Sequence, residues 1–436
     1  MSHDRNNWKT SLRVSSRSDV GLRRANNQDS HAVVMATTLQ QLFKRGHLMI
    51  VADGMGAHAA GELASKIAVD TIALSYAKRA NEDIAEALRN SVYDAHRQIR
   101  TQSERDNAFH AMGTTADALV LSPTAAFVAH VGDSRVYRLR DHVFEQLTFD
   151  HSLVWEIRAS GKIPRDKIPS YIPKNVITRS LGPSEHLVVD LEGPFPVWPG
   201  DYYLLCSDGL SGQVEDDEIG QILFVLPPDY ATETLINLAN LRGGPDNITI
   251  VSAQVTAPLD ASDGTGYSHF DKAISGKTFS LFAWICLGFA MLGFGIAILG
   301  SVISYDSISD QSATWLTIAA IITLLSGGGF FYLAGRSATG DDREDDNSHH
   351  FGKGPYIRVD ATPEPVFVSK LVTTMQQLRD AAQDEQWDIH WADIDHNEHL
   401  AAAAGKTEDF GKAIYHYSLA INSMMRELKQ QKRKKP

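Results

Sequence analysis

Short apolar runs and turn residues alternate along the first 256 positions of the chain. The run HLMIVA, which ends just before Asp53, has the length and composition of a buried strand. A helical pattern begins near Glu62, with this acid in its first turn. Similar apolar runs next to turn residues recur later as FVAHV, RVYRL, YYLLC and ITIVSAQV. The pattern predicts one domain of mixed strands and helices over residues 10–256.

Two long stretches without charge follow this domain, at residues 279–305 and 315–335. Each is long enough to cross a bilayer as a helix, and the polar segment between them is only long enough for a turn. A buried helical hairpin in a soluble domain is the alternative. Lysine and arginine flank the outer ends of the pair, whereas the connecting segment has only acids. The positive-inside rule therefore predicts a two-span protein of the cytoplasmic (inner) membrane, with both large parts in the cytoplasm.

Polar segments separate these parts of the chain. Residues 257–278 form a linker before the apolar pair, and residues 336–364 form an acidic linker after it. Residues 365–436 have apolar positions at helical spacing, which predicts a small helical C-terminal region. These apolar stripes are too few for a large core, so we expect the helices to pack together or to bind a partner helix.

Composition and charge exclude several classes of protein. With 43% hydrophobic and 22% charged residues, the 436-residue chain has the composition of a globular protein. Its net charge of −12 argues against nucleic-acid binding, which needs a basic face. The two cysteines, Cys206 and Cys286, form no CxxC pair and cannot make a disulfide framework. This usage of cysteine is typical of a reducing compartment.

Acidic residues recur where the predicted strands begin or end. Asp53 and Asp208 follow apolar runs, Asp246 precedes one, and Asp133 lies between two runs in a predicted hairpin turn. Each acid alone is an ordinary turn residue. Strand ends from different parts of a fold can gather at one edge of a β-sandwich, where uncompensated carboxylates repel one another and cations remove the repulsion. Ligation by oxygen alone fits magnesium or manganese better than zinc.

A series of short motifs covers residues 10–256. In order along the chain they are RANNQDS, VADGMGAHAAGELAS, MGTTADALVL, AHVGDSRVYRLRD, LTFDHSLV, ITRSLG, LLCSDGLSG and GPDNITIV. This set resembles the successive motifs of the metal-dependent serine/threonine protein phosphatases, the PPM or type-2C family, in their bacterial form. The resemblance implies an α+β fold, a four-layer α/β-sandwich in which two antiparallel sheets are flanked by helices.

The resemblance also implies metal ligands, position by position. It makes Asp53 the bridge between two metal ions and puts the carbonyl oxygen of Gly54 on one of them. Asp208 and Asp246 complete the second metal site. Asp133 belongs to a third, weaker site that bacterial members have.

Residues around these ligands follow from the same resemblance. Arg24 holds the substrate phosphate, because its spacing to Asp29 fits the first motif better than the spacing of Arg23. Asp29, Gln28 and His58 are candidates for contacts that surround the metal ligands. Gln28 stands where many members have glutamate, which weakens a water-mediated contact to the metals. The acid that protonates the leaving group stays unassigned, with His58 as one candidate.

The implied activity is hydrolysis of phosphoserine and phosphothreonine in proteins by a hydroxide that bridges two Mn²⁺ or Mg²⁺ ions, with a third ion as an option. The expected partners are phosphorylated proteins, above all bacterial Ser/Thr kinases and their substrates at the membrane. Residues 151–183 match the position of the family's flap, which helps to select substrates. Two alternatives stay open: a phosphoprotein-binding signalling scaffold with the same fold, and a regulator with one dedicated substrate.

Overall fold

A computed structural model describes residues 11–56, 59–106, 109, 111–159, 173, 176–259 and 350–434 of the chain. The described residues before position 260 and after position 349 form one compact unit. The two predicted membrane spans, residues 279–305 and 315–335, lie outside the described residues. Within the described ranges, no helix combines the length and the apolar character needed to cross a membrane.

The strands pair antiparallel in two sheets. They are β1 (Leu12–Asp19), β2 (Asp29–Val34), β3 (His47–Met55), β4 (Gly113–Thr114), β5 (Ala116–Leu121), β6 (Ala126–Val131), β7 (Arg135–Arg140), β8 (Val143–Gln146), β9 (Asp190–Phe195), β10 (Tyr202–Cys206), β11 (Ile248–Val255) and β12 (Ile357–Asp360). The first sheet has the order β1-β11-β10-β7-β8-β12. The second has the order β2-β3-β5-β6-β9, with the short strand β4 paired to β3.

Helices cover the outer face of each sheet. They are α1 (Leu39–Arg45), α2 (Ala60–Lys78), α3 (Ile84–Arg105), α4 (Leu153–Ala159), α5 (Asp208–Ser211), α6 (Asp216–Val225), α7 (Pro228–Leu241), α8 (Pro365–Asp384), α9 (Ala392–Lys406) and α10 (Phe410–Lys434). Helices α2 and α3 pack on the second sheet, whereas α6 and α7 pack on the first. The four-layer sandwich of two antiparallel sheets flanked by helices is therefore confirmed.

Strand β3 shows why its sequence is an unbroken apolar run. Successive side chains of a strand point to opposite faces of the sheet. Leu48 and Ile50 pack outwards among residues of α2 and α3, whereas Met49 and Val51 pack inwards among residues of the opposite sheet. Both faces of β3 are buried, which explains why the five residues from Leu48 to Ala52 are all apolar before the strand reaches Asp53.

The position of Asp133 differs from the predicted hairpin turn. Strand β6 pairs with β5 and β9 in the second sheet, whereas β7 pairs with β8 and β10 in the first. The segment from Gly132 to Ser134 therefore crosses from one sheet to the other. The hairpin prediction was wrong because a Gly-Asp turn between two apolar runs does not specify which sheet the second run joins. The crossing puts Asp133 at the end of the space between the sheets.

The C-terminal region is part of the same unit as the sandwich. Strand β12 extends the first sheet by pairing with β8. Helices α8 and α10 pack on each other and on α6 and α7, and their buried side chains join the hydrophobic cluster on the outer face of the first sheet. The helices therefore pack together, which was one of the two expected alternatives. They also pack on the sandwich, through α6 and α7.

Candidate active site

The strand ends that carry the predicted acids meet at one end of the sandwich. Asp29 begins β2 and lies directly opposite Asp53 in the antiparallel register of β2 and β3. Asp208 follows β10 as the first residue of α5, and Asp246 immediately precedes Asn247 and β11. Because β10 and β11 are neighbours in the first sheet, their acids face those of the second sheet across the end of the sandwich.

Asp29 is buried on the second sheet's side of the site. Its side chain is only 8% exposed, and its Oδ2 atom accepts a hydrogen bond of 2.8 Å from the hydroxyl of Ser207. Its Oδ1 atom is buried without a hydrogen-bond partner. Burial raises the pKa of Asp29 to about 6, although the hydroxyls of Thr249 and Ser207 oppose the increase. The sequence marked Asp29 only as a surrounding residue.

Three other acids, Asp53, Asp208 and Asp133, also resist ionisation. Burial raises the pKa of Asp53 well above its usual range, and the charges of Asp29 and Asp208 add to the increase. Burial raises the pKa of Asp208, with Asp246 as the largest charge contribution. Burial, together with the charge of Asp208, raises the pKa of Asp133 to about 7. The site is therefore a concentration of negative charge that the protein alone does not neutralise.

The oxygen atoms of this cluster fit divalent metal ions. Among the described residues, no group of three or more His, Cys, Asp or Glu side chains has the spacing of the ligands around a bound metal ion. However, Oδ1 atoms of Asp29, Asp133 and Asp208 are buried without any hydrogen-bond donor. Buried carboxylate oxygens need a donor or a cation. Carboxylates alone, without nearby thiolate or imidazole, are the ligands of magnesium and manganese.

Glycine permits the close packing that puts backbone oxygen atoms at the site. A Cβ atom on Gly54 would lie 2.1 Å from the carbonyl oxygen of Gly61, at the start of α2. A Cβ atom on Gly209 would lie 1.9 Å from the carbonyl oxygen of Asn247. Both positions therefore exclude any side chain. The helix α2 and the end of β3 can approach only because both contact residues, Gly54 and Gly61, are glycines.

Arg24 reaches the acid cluster from the loop after β1. Its Nη2 atom donates a hydrogen bond of 2.7 Å to Oδ2 of Asp246, and 48% of its side chain is exposed. The loop is held by the carbonyl oxygen of Gly244, which accepts hydrogen bonds from the amides of Leu22 (2.8 Å) and Arg23 (3.2 Å). A guanidinium group with one side on the acids and the other towards solvent can bind an arriving anion.

Asn247 positions this loop, and the sequence analysis did not single it out. Its side-chain amide donates hydrogen bonds of 2.9 Å to the carbonyl oxygens of Val20 and Asn26, and its Oδ1 atom accepts one of 2.8 Å from the amide of Gln28. It is 4% exposed. The signal in the sequence was its place after Asp246 in the motif GPDNITIV, but only the structure shows what its side chain binds.

Gln28 and Thr115 hold the end of β3. The carbonyl oxygen of Gln28 accepts hydrogen bonds from the amide of Gly54 and from the hydroxyl of Ser65. Thr115 donates its own amide to the carbonyl oxygen of Asp53, and its hydroxyl accepts the amide of Asp53. Sequence reasoning missed Thr115 as a positioning residue. His58, the candidate acid for the leaving group, lies outside the described residues.

His151 connects the segment matching the flap to the loop that carries Asp133. Its backbone amide donates to the carbonyl oxygen of Gly132, and its Nδ1 atom accepts the amide of Gly132 at 3.0 Å. Its Nε2 atom lies 2.9 Å from Oδ2 of Asp190, and Oδ1 of the same carboxylate accepts a hydrogen bond from Arg179. Burial lowers the pKa of His151 to about 4. Residues 160–172, 174 and 175 of this segment lie outside the described residues.

Comparison with known proteins shows the family to which the chain belongs. The family model for protein phosphatase 2C matches residues 22–157. Protein phosphatase PhpP of Streptococcus pneumoniae is 36% identical over 245 residues, which are 55% of this chain and 96% of that protein. The crystal structure of the Mycobacterium tuberculosis serine/threonine phosphatase PstP/Ppp aligns with a TM-score of 0.50 and 35% identity, over 56% of this chain and 99% of that one.

A second solved structure, of the catalytic domain of the serine/threonine protein phosphatase PstP in complex with two manganese ions, aligns with a TM-score of 0.48 and 35% identity, over 56% of this chain and 98% of that one. The match to PhpP spans nearly the whole of that protein. The chain therefore belongs to the protein phosphatase 2C family of metal-dependent serine/threonine phosphatases, and it is a protein-serine/threonine phosphatase of the bacterial type.

Proposed function

We propose that this chain removes phosphate from phosphoserine and phosphothreonine in proteins, at the site formed by Arg24 and the acid cluster. The observation that carries the proposal is the convergence of mutually repelling carboxylates beside one exposed guanidinium group. A phosphate monoester is an anion, so acids alone would repel it. A site of this composition can bind a phosphate only when cations neutralise the acids.

The ligand set that we propose consists of Asp53, Asp208, Asp246, Asp133 and the carbonyl oxygen of Gly54. Two or three Mn²⁺ or Mg²⁺ ions bound there would neutralise the acids, screen the phosphate charge and lower the pKa of a coordinated water. The buried, unpartnered Oδ1 atoms of Asp133 and Asp208 support the assignment of these two side chains.

Arg24 is the residue that we assign to the substrate phosphate. Its guanidinium group is fixed at one edge by Asp246, which leaves donors for the phosphate oxygens. It would bind the phosphate in the ground state as well as in the transition state. Arg24→Ala should therefore raise KM with little change in kcat. Arg23→Ala is the matched control, and an increase of KM in that variant alone would reassign the role.

The experiment that tests the activity is release of phosphate from a phosphothreonine peptide by the purified full chain with Mn²⁺, with Mg²⁺ and with a chelator. We expect turnover with either ion and its loss in the chelator. Turnover that is unaffected by chelation, and equal in Asp53→Ala, would overturn the proposed site. A chain that binds the phosphopeptide without turning it over would instead be the signalling scaffold.

We further propose a membrane location, in which residues 279–305 and 315–335 cross the bilayer and the catalytic part and C terminus lie in the cytoplasm. The proposal rests on the two charge-free stretches and their flanking charges. Protease added to intact spheroplasts should leave both parts uncut. Cleavage of either part from outside, or recovery of the chain in the fraction without membranes, would contradict this topology.

Tethering would concentrate the enzyme near membrane-bound proteins. On this basis we propose that its substrates include bacterial Ser/Thr kinases and proteins phosphorylated by them. Comparison of phosphopeptides in cells with and without the enzyme tests this role. Accumulation of kinase phosphosites in its absence supports it; accumulation on a single protein would identify a regulator with one dedicated substrate.

A further inference from the structure

The C-terminal region contacts the catalytic part through a buried carboxylate. Glu218, in the first turn of α6, has a side chain that is 1% exposed. Its Oε1 atom accepts a hydrogen bond of 2.7 Å from Nζ of Lys370 on α8. The same carboxylate receives both terminal nitrogens of Arg242. One buried acid therefore joins a lysine of the C-terminal helices to an arginine of the catalytic sandwich.

Arg242 stands at the beginning of the loop that leads to the active site. It caps the C terminus of α7, and its guanidinium group also donates to the carbonyl oxygen of Gln213 at 2.9 Å. Gly243 and Gly244 follow with positive φ angles of 116° and 43°, so the chain turns sharply after Arg242. Two residues later it reaches Asp246.

The turn supports the loop that carries Arg24. The carbonyl oxygen of Gly244 accepts the amides of Leu22 and Arg23. A Cβ atom on Gly21 would lie 2.2 Å from the carbonyl oxygen of Asp246, so the two loops are in direct backbone contact. If Arg242 shifts, the carbonyl oxygen of Gly244 that holds the loop of Arg24 shifts with it. Arg24 itself remains hydrogen-bonded to Asp246.

We propose that Lys370, Glu218 and Arg242 form a positioning relay through which the C-terminal helices hold the Leu22–Arg24 loop and so set the affinity of the site for the substrate phosphate. The inference rests on the proposed role of Arg24 in phosphate binding. The relay residues touch no substrate; they act through the carbonyl oxygen of Gly244.

Burial explains why a relay of charges can transmit position. Arg242 is bidentate to Glu218, which fixes the guanidinium plane as well as its distance. The acid lies in the protein interior, so losing one partner leaves a buried charge less well compensated. The backbone of α6 and the end of α7 must then adjust, and the only covalent continuation of α7 is the Gly243–Asp246 turn.

The test uses the full chain with Lys370→Met, which keeps the length of the side chain and removes its charge. We expect KM for p-nitrophenyl phosphate to rise about two- to fivefold, with kcat unchanged, because one partially exposed ion pair is lost. Lys370→Arg should restore the wild-type KM. Lys412→Met is the matched control, since Lys412 pairs only with the neighbouring Asp409 in the described contacts of the C-terminal region.

Hydrogen exchange gives a readout that does not depend on activity. The amides of Leu22 and Arg23 should exchange faster in Lys370→Met than in the wild type or in Lys412→Met. Arg242→Met should increase both effects, and Arg242→Lys should give an intermediate result. Variants that lower the unfolding temperature but leave KM and these two amides at the level of the control would overturn the relay and leave a structural ion pair.

Failure of the underlying assignment gives a different result. If Arg24→Ala leaves KM unchanged, Arg24 does not bind the phosphate. The claim that the relay sets the affinity for the substrate phosphate is then rejected as well. Faster exchange at Leu22 and Arg23 in Lys370→Met would still establish the mechanical link. Unchanged exchange together with an effect of Arg24→Ala would reject the relay while keeping the proposed function.

Discussion

Ile421 provides a test of whether the C-terminal helices and the catalytic sandwich fold as one unit. Its side chain lies on α10, is fully buried, and belongs to the same hydrophobic cluster as Leu235 and Ile236 of α7. The next residue, Asn422, makes polar contacts to α7: its side-chain amide donates to the hydroxyl of Thr234, and its Oδ1 atom accepts a hydrogen bond from the side chain of Asn237. Substitution of Ile421 by alanine removes apolar contacts at the junction of the C-terminal helices and the sandwich.

The expected magnitude follows from the burial. Truncation of a fully buried isoleucine costs about 2–5 kcal/mol of unfolding free energy, since the surrounding core closes only in part around the cavity. A central value of about 3 kcal/mol, divided by a urea m-value of about 3 kcal/mol/M, lowers the midpoint of unfolding by about 1 M. Val372→Ala on α8 is the control, since its side chain is 42% exposed and its change should be below about 0.5 kcal/mol.

The assay is urea unfolding of the full chain, followed by hydrogen exchange of peptides from α10 and from β11. In Ile421→Ala, both sets of peptides should lose protection together, at a urea concentration about 1 M below that of the wild type. Loss of protection in α10 alone, with β11 unchanged, would refute the single unit. The C-terminal helices would then be an independent domain, as the sequence suggested by separating residues 365–436.

Three further predictions concern the site and the fold around it. Asp208→Asn should lower turnover at least a hundredfold and abolish the rise in unfolding temperature that Mn²⁺ causes in the wild type; a normal response to Mn²⁺ would contradict its role as a ligand. Gly54→Ala should lower the free energy of unfolding by about 1–3 kcal/mol, because its Cβ would meet the carbonyl oxygen of Gly61. Gly405→Ala is the control, since no atom lies within 4 Å of the Cβ that it adds. Burial lowers the pKa of His47 from 6.5 to about 4, so its contribution to stability is complete above pH 6.5 and is lost as the pH falls towards 4, by about 2 kcal/mol at pH 5. Urea unfolding at pH 7 and pH 5 should show this loss in the wild type and a smaller one in His47→Gln; equal losses would refute the assignment.

The sequence predicted the strands of the sandwich well, because their signals are local. The five residues before Asp53, Leu48 to Ala52, are all apolar since both faces of the strand are buried, and turn residues follow them. The acids at Asp53, Asp208 and Asp246 were found for the same reason: each follows or precedes a strand in a short motif. Local pattern therefore located the candidate ligands, although it did not show which of them face one another.

Some features of the site depend on contacts between distant positions. Arg24 and Asp246 are 222 positions apart, and Asn247 binds the loop around Asn26 from 221 positions away. No local pattern encodes such contacts. The same limit explains the error at Asp133, where the pairing of β6 and β7 with different partners, and not the turn between them, determines the course of the chain.

The sequence by itself located several strands and the acids at their ends, since strand burial and turn chemistry act between near neighbours along the chain. The four-layer arrangement was expected from the resemblance of its motifs to a known family, not from these local patterns. Tertiary structure alone decided that Asp29 lies opposite Asp53 and that α10 packs on α6 and α7. It also decided that Lys370 reaches Glu218, 152 positions away. An amphipathic helix needs an apolar partner, but its own sequence does not say which one; the exposed faces of α6 and α7, present only after the sandwich has formed, supply it.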